Sequence, residues 1–351
     1  MSTLGYDTVA AMLRAVDPDW QLRSMTAVER GFSRVFRATV TDGGGEARTV
    51  YLKATPGHDD GGIPADARLL ALLGHRPAVP VPTVLGAVDD HEDLPAPFYV
   101  MTAADGDELP YERIGRLPDD VLRTLARQVG VALGTLHGVE GLDSFGHVTS
   151  APDRLLAGDR PAGTVAELAV DGVDTWAAFL DAWIDRELNA LADSRFDDLV
   201  PAVRAWCDRR RPGIEEPSRP VLGRNDHGLH NLLVNEATGE MRAMLDWAYT
   251  LAVTPLFDVE YAVYLFSGAF LAGLPAVRDR RDPVRTALLD GYRTRADPDR
   301  VAAVSDREPL YELLAAVRVM HDFHLLDIPT DSEPAAADRL AADVGAILDG
   351  R

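Results

Sequence analysis

Apolar and polar positions change their rhythm about a third of the way along the chain. Over the first hundred residues the apolar positions come in short runs of strand type. Residues 26–30 form a short strand candidate, followed by the turn-like Gly31-Phe32-Ser33. Residues 35–41 and 49–54 have strand-type content, and Asp42-Gly43-Gly44-Gly45 between them predicts a hairpin turn. Residues 65–73 predict a short helix carrying Leu69, Leu70, Leu72 and Leu73, which Pro77, Pro80 and Pro82 keep from continuing. Residues 84–88 and 98–102 predict two more strands, joined by an acidic loop.

After Asp105-Gly106-Asp107 the spacing becomes mostly helical. Pro118-Asp119-Asp120 opens a helix in which Val121, Leu122, Leu125, Val129, Ala132, Leu133 and Leu136 share one face, and Gly138 ends it. His137 on this helix reads as a satisfied core histidine. Trp176, Phe179, Leu180, Trp183, Ile184 and Leu188 form a second apolar stripe, read as core packing. One strand-rich island interrupts the helices: residues 220–234, a turn at Gly239, then residues 241–247. No repeat or low-complexity tract is visible.

The length, 351 residues, predicts one large or two closely packed domains. No stretch approaches the roughly 20 apolar residues of a membrane span, and the first residues lack the basic start and apolar run of a signal peptide. Cys207 is the single cysteine, so no internal disulfide forms and a cysteine-built zinc site is excluded. A reducing, cytoplasmic setting is expected. The formal charge is −21, with acidic residues scattered along the chain, which makes nucleic acid and anionic membranes poor partners. Lys53 is the only lysine; arginine supplies the remaining full-time cations. Against that background, position 53 needs what arginine cannot give.

The island holds the strongest chemical signal. Asp226 precedes Asn231 by five residues, and Asn231 opens the apolar run Leu232-Leu233-Val234. A hairpin-length gap leads to Met244-Leu245-Asp246-Trp247. Two carboxylates and an amide at the ends of adjoining strands can converge on one edge. There, hard oxygen ligands suit magnesium and a remaining carboxylate can meet a substrate hydroxyl. A Walker-type phosphate loop is excluded, because the sole lysine follows Leu52 and not glycine. Gly43-Gly44-Gly45 reads as a turn, not a dinucleotide loop.

This arrangement resembles the aminoglycoside phosphotransferase and choline kinase family. That family typically reads His-Gly-Asp, four residues, Asn, an apolar strand, then Ile-Asp-Trp. Here Arg224-Asn225-Asp226, His227-Gly228-Leu229-His230, Asn231-Leu232-Leu233-Val234 and Leu245-Asp246-Trp247 fall in register, and Pro255 and Asp258 fit the segment that follows. The resemblance spans roughly residues 26–264; the last eighty residues match only as generic helices.

It implies an α+β, protein-kinase-like, two-lobed fold: a small antiparallel sheet lobe over residues 1–104 that binds nucleotide, and a larger helical lobe over residues 105–351 with the catalytic and acceptor-binding groups. It implies an ATP- and magnesium-dependent phosphotransferase acting on a small-molecule hydroxyl. ATP would lie between the lobes. Lys53 would hold its phosphates, supported by Asp66. Gly31 and Ser33 would turn over the phosphates, and Thr102 to Ala104 would meet adenine at the hinge. Asn231 and Asp246 would hold the metal, and Asp226 would be the catalytic group.

Two departures stand out. Arg224-Asn225 replaces His-Gly, which leaves a non-catalytic nucleotide-binding homologue as an alternative. Asp66 stands where the family usually has glutamate, so a looser or water-bridged Lys53 pair is expected. A rival register using His227-Gly228 puts Leu229 at the aspartate position and breaks the five-residue step. His227 and His230, with His321 and His324, leave a His/Asp metal-dependent hydrolase as a further alternative. The acceptor is not readable: an aminoglycoside-like antibiotic, a sugar, an amino alcohol or a glycated amine all fit the resemblance. The acidic helical lobe gives only a faint preference for a cationic one, and oligomeric state is not readable.

Overall fold

The computed structural model describes residues 4–28, 33–55, 62–150, 168–214, 219–271, 277–326 and 328–350. The chain divides into two compact units. The first takes Met1–Asp105 together with Val148–Ala169 and Arg242–Tyr249; the second takes Gly106–His147, Val170–Met241 and Thr250–Arg351.

The first unit opens with helix α1 (Tyr6–Val16) and continues through β1 (Gln21–Val28), β2 (Arg34–Thr41), β3 (Ala47–Ala54), α2 (Ile63–Leu73), β4 (Val84–Val88) and β5 (Phe98–Thr102). The strands form one five-stranded sheet in the order β1-β2-β3-β5-β4, with antiparallel neighbours throughout. Alternation drives this sheet: Phe36, Ala38 and Val40 on β2, with Val50, Leu52 and Ala54 on β3, join one core. The sequence reading missed α1. Its Val9, Met12 and Leu13 follow helical spacing and are buried against that same core. β1 begins at Gln21, earlier than residue 26, because it pairs along nearly the whole of β2.

The second unit runs β6 (Asp107–Glu108), α3 (Tyr111–Ile114), α4 (Asp119–Leu136), β7 (Phe145–Ser150), β8 (Leu168–Val173), α5 (Trp176–Leu191), α6 (Val200–Arg210), β9 (Val221–Leu222), β10 (Leu232–Asn235), β11 (Glu240–Met244), β12 (Leu251–Val253), α7 (Pro255–Ser267), α8 (Arg281–Tyr292), α9 (Pro298–Ala303), α10 (Pro309–His321) and α11 (Glu333–Leu348), its boundary crossing β7, β8 and β11. Helices dominate, as their spacing predicts. The island, however, is not the only strand structure after residue 105. β7, β8 and β12 join β9 of the island in a four-stranded sheet in the order β8-β7-β12-β9. β12 has only 3 residues, and Gly146, His147, Asp171 and Gly172 interrupt the apolar content of β7 and β8.

α4 and α8 pack backbone to backbone. A Cβ on Gly130 would stand 1.9 Å from the Leu288 carbonyl oxygen, and one on Gly291 would stand 1.9 Å from that of Arg127. Those glycines set the approach of the two helices. The aromatic stripe of α5 is buried. Trp176 stacks on Phe179 at 4.9 Å between centroids, and the Trp176 indole N–H donates to the Tyr311 hydroxyl at 2.8 Å. Among the described residues no helix is long and apolar enough to cross a membrane.

Glu187, on the same helix, is wholly buried and takes hydrogen bonds from Arg186, Arg318 and His321. Burial alone would raise its carboxyl; the His321 bond and the charges of Arg318 and Arg186 outweigh that and hold it at about 2, below its ordinary 4.5. A carboxyl held low stabilises the fold above its unfolded value and loses that contribution as pH falls through the folded value. The contribution is about 3 kcal/mol. We expect Glu187→Gln to melt lower than wild type near neutrality, with the gap closing as pH falls from about 4.5 towards about 2, followed by circular dichroism.

Candidate active site

In the first unit, Lys53 sits in β3 with Val35 of β2 and Tyr99 of β5 beside it in register. Its ammonium donates to Asp66 Oδ2 at 2.6 Å and to Asp246 Oδ1 at 2.9 Å. Asp66 lies in the first turn of α2 and is fully buried. Its Oδ2 also accepts the Tyr99 hydroxyl at 2.9 Å, and its Oδ1 accepts the Trp247 backbone N–H at 3.1 Å. Burial alone would lower the Lys53 pKa, but the paired carboxylates of Asp66 and Asp246 outweigh it and hold the ammonium above its ordinary value. Burial, reinforced by the Asp66 charge, pushes the Tyr99 phenol well up, so it remains a donor.

The Lys53–Asp66 pair is therefore direct, where a looser or water-bridged pair was expected. The shorter side chain reaches because two fixed donors, Tyr99 and Trp247, hold its carboxylate in place. Trp247 is itself anchored: its ring is buried and its indole N–H donates to the Met244 carbonyl at 3.2 Å. The anchor leaves Asp246 in the left-handed region, at φ 58°, with its side chain 51% exposed. A non-glycine residue in that region is held by its surroundings, a frequent property of functional positions. The parts played by Tyr99 and Trp247 were missed, although both lie in segments already singled out.

Of the other expected nucleotide contacts, Gly31 lies outside the described residues. Ser33 is half-buried at the bend before β2. Thr102 ends β5; its N–H donates to the Thr83 carbonyl at 2.9 Å and its hydroxyl accepts the Thr83 N–H at 3.0 Å. Ala104 follows, half-buried and outside regular structure.

In the second unit, β9 runs into a tight loop. Asn225 takes φ 61°, a conformation asparagine tolerates, and the Asp226 N–H bonds back to the Arg224 carbonyl at 2.6 Å. The Asp226 side chain is 50% exposed. Its Oδ1 accepts the Gly228 N–H at 2.9 Å, and its Oδ2 lies 3.5 Å from His230 Nε2. A Cβ on residue 228 would stand 2.2 Å from the His230 ring, so a larger residue there would push His230 off Asp226. Partial burial disfavours the charge on Asp226, but His230, the Gly228 N–H and Arg224 outweigh it and hold the carboxyl below the usual range.

Arg224 does not face solvent. Its Nε donates to the Asp226 carbonyl at 2.7 Å, and its own N–H donates to Asp258 Oδ1 at 3.0 Å. The residue replacing the family histidine thus braces the loop. Asp258 in α7 is the hub behind it. Its Oδ1 meets His227 Nε2 at 2.6 Å and its Oδ2 meets His137 Nε2 at 3.0 Å; His137 Nδ1 meets the Tyr292 hydroxyl at 2.8 Å. Burial would raise the Asp258 carboxyl, but the charges and hydrogen bonds of His227 and His137 hold it far below its ordinary value. His227 is buried with its side chain 1% exposed, so it does not present a base to a bound molecule. His230 faces Asp226 and His321 faces Glu187, so each of these histidines has its own acidic neighbour.

Asn231 closes the loop, with its N–H on the Gly228 carbonyl at 3.0 Å. Its side chain is almost buried, and Nδ2 has no hydrogen-bond partner among the described residues. A buried amide left this way can turn its oxygen or its nitrogen to a ligand.

The protein so defined has a lysine locked to two aspartates on a small sheet and a braced Asp-x4-Asn loop in a helical unit. The model of the phosphotransferase enzyme family, APH, matches residues 24–304, and the chain belongs to that family. The match extends past Tyr264, where the motif resemblance stops. No curated protein matches the sequence. Solved structures match over nearly the whole chain at low identity. A Ralstonia eutropha protein assigned as an aminoglycoside phosphotransferase shares 14% identity at TM-score 0.63, covering 99% of this chain and 98% of its own. A thermostable mutant of aminoglycoside phosphotransferase APH(4)-Ia, in ternary complex with AMP-PNP and hygromycin B, shares 18% at TM-score 0.56, covering 97% and 98%. The GDP and kanamycin complex of APH(2'')-IIIa shares 15% at TM-score 0.55, covering 96% and 98%. The fold is accordingly α+β and protein-kinase-like, a small antiparallel sheet followed by a larger helical part.

Proposed function

We propose that this protein transfers the γ-phosphoryl group of ATP to a hydroxyl of a small molecule in the cytoplasm. The observation that carries the reading is the chain's only lysine, buried and bonded to both Asp66 and Asp246. A charge fixed in that way on a sheet is suited to hold nucleotide phosphates without rearranging.

Each group then has a role. Lys53 neutralises and orients the phosphates, and Asp66, pinned by Tyr99 and Trp247, holds Lys53 in place. Ser33 and Gly31 cover the phosphates. The Thr102 N–H is already engaged by Thr83, so the adenine contact falls to Ala104. The side-chain oxygens of Asp246 and Asn231 are the hard ligands that magnesium takes, and the Asn231 Nδ2, with no partner among the described residues, does not tie that amide in place. Magnesium there would neutralise charge on the phosphate oxygens. Asp226 orients the acceptor hydroxyl. As the new oxygen–phosphorus bond forms and the bond to the ADP oxygen breaks, Asp226 takes the hydroxyl proton. Its depressed pKa keeps it ionised and makes it a weak base, which suits a late proton transfer.

The kinase complexes with hygromycin B and kanamycin mark hydroxylated ring compounds as an acceptor class to test first. The test of the nucleotide step is thermal. ATP with magnesium should stabilise the folded chain by about 3 kcal/mol at a hundredfold excess over Kd, and GTP run alongside reads the base preference. No shift and no calorimetric binding at millimolar nucleotide would end the reading.

A further inference from the structure

We propose that Arg186, backed by His147, forms a subsite for an oxyanion on the phosphate acceptor, so that the acceptor is a hydroxylated carboxylate or phosphate ester. The inference rests on the phosphotransferase reading and narrows its acceptor.

The guanidinium of Arg186 is fixed before any ligand arrives. It stacks over the Trp183 ring at 3.8 Å from the centroid, and Trp183 is itself stacked on Phe179. Its Nε and Nη2 clamp Glu187 Oε1 at 3.1 and 2.5 Å, and its Nη1 lies 3.3 Å from His147 Nε2. These contacts engage three of the five N–H groups of a guanidinium. The burial pattern gives the cluster its sign. Glu187 is 0% exposed while Arg186 is 39% exposed, so the anion lies beneath and a cationic donor edge faces solvent. Arg318 and His321 complete the cover over Glu187, and Asp322 pairs with the Nε of Arg318 at 2.7 Å. Among the described residues, Arg186 has no exposed acid as a bonded partner. In a chain of net charge −21, a fixed, partly exposed guanidinium whose one acidic partner among the described residues is buried is set up to receive an oxyanion.

The sheet ties this edge to the Asp226 loop. His147 on β7 stands opposite Leu251 on β12, and the Leu251 carbonyl accepts the Gly223 N–H at 2.8 Å. His147, Leu251 and Gly223 thus form a row across three neighbouring chain segments. Two strand spacings span about 10 Å, and Gly223 is three residues before Asp226. An acceptor with a hydroxyl at Asp226 and an oxyanion at Arg186 would therefore reach along this row of the sheet.

Calorimetric titration of the full chain, with ADP and magnesium present, tests the subsite. Gluconate and glucose 6-phosphate serve as carboxylate and phosphate probes, with glucose and kanamycin as neutral and cationic controls. At least one oxyanion should bind saturably and more tightly than glucose. Arg186→Gln should weaken it about tenfold or more, the scale of a charge-assisted hydrogen bond, and Arg186→Lys should recover part of the loss. His147→Gln, which leaves the Glu187 bonds in place, should weaken it by a smaller factor. In wild type, the Arg186 Nε resonance should move on titration, a reading that needs no variant to fold. Equal oxyanion affinity in wild type and a folded Arg186→Gln, tighter binding of kanamycin than of either anion, or no saturable anion binding at tens of millimolar would overturn the subsite. Nucleotide binding is read separately by titrating ADP alone; its absence would count against the phosphotransferase reading, and the anion titration without ADP would still decide the subsite.

Discussion

Asp226→Asn should bind ATP and magnesium nearly as wild type does and yet lose at least about a hundredfold in turnover, the lower scale of a general base. The change is almost isosteric and keeps an oxygen for the Gly228 N–H, so the loop should survive it. His227→Ala makes the informative partner. His227 is buried on Asp258, so its loss should lower the melting temperature, and turnover should fall less than in the Asp226 variant. The opposite ranking would move the catalytic role to the His227 register. Because the Asp226 carboxyl is held low, it stays ionised well into acid. The wild-type rate should therefore show no acid limb from this group across the ordinary carboxylate range, a point that a kcat profile checks directly.

Lys53→Ala should fail in two ways at once. It removes the charge that holds the phosphates, so turnover should fall by at least about a hundredfold. It also leaves Asp66 buried with its ammonium partner gone, which costs about 3–5 kcal/mol when one member of a buried pair is removed. Asp66→Asn in the same background should recover part of that stability, because an amide oxygen still accepts from Trp247 without burying a charge, while turnover stays low. Chemical denaturation and turnover, measured on wild type and on the single and double variants, separate the structural role of the pair from its role towards phosphate. Normal stability and a near-normal rate in Lys53→Ala would remove Lys53 from both roles.

Much of this layout was legible in the sequence. The strands over residues 84–88 and 98–102 are β4 and β5, and the two hairpin strands differ from β2 and β3 by a residue or two. Their period-two content and glycine turn left little freedom. The five-residue step from Asp226 to Asn231 survived the changed residues before it because spacing within a loop is a covalent property. What the sequence hid was long-range. Asp66 faces Trp247 across 181 positions and His137 faces Asp258 across 121, and no local pattern encodes such pairs. The structure also explains the least familiar residue, Arg224. Read alone it was a departure that weakened the catalytic reading; in place it is a buried strut whose donors hold the backbone of the Asp226 loop. β7, β8 and β12 escaped notice because Gly146, His147, Asp171 and Gly172 break the apolar content of the first two and the third is only 3 residues long.

The most direct measurement is a phosphate-transfer screen. The full chain would be incubated with γ-labelled ATP, magnesium and a panel of hydroxylated metabolites and antibiotics that includes carboxylates and phosphate esters. Transfer by the proposed mechanism predicts that label appears as a stable phosphate ester on at least one acceptor, at a rate that Asp226→Asn cuts about a hundredfold or more. Label that stays on ATP across the whole panel, with nucleotide bound, would contradict it and leave a nucleotide-binding homologue without transfer activity.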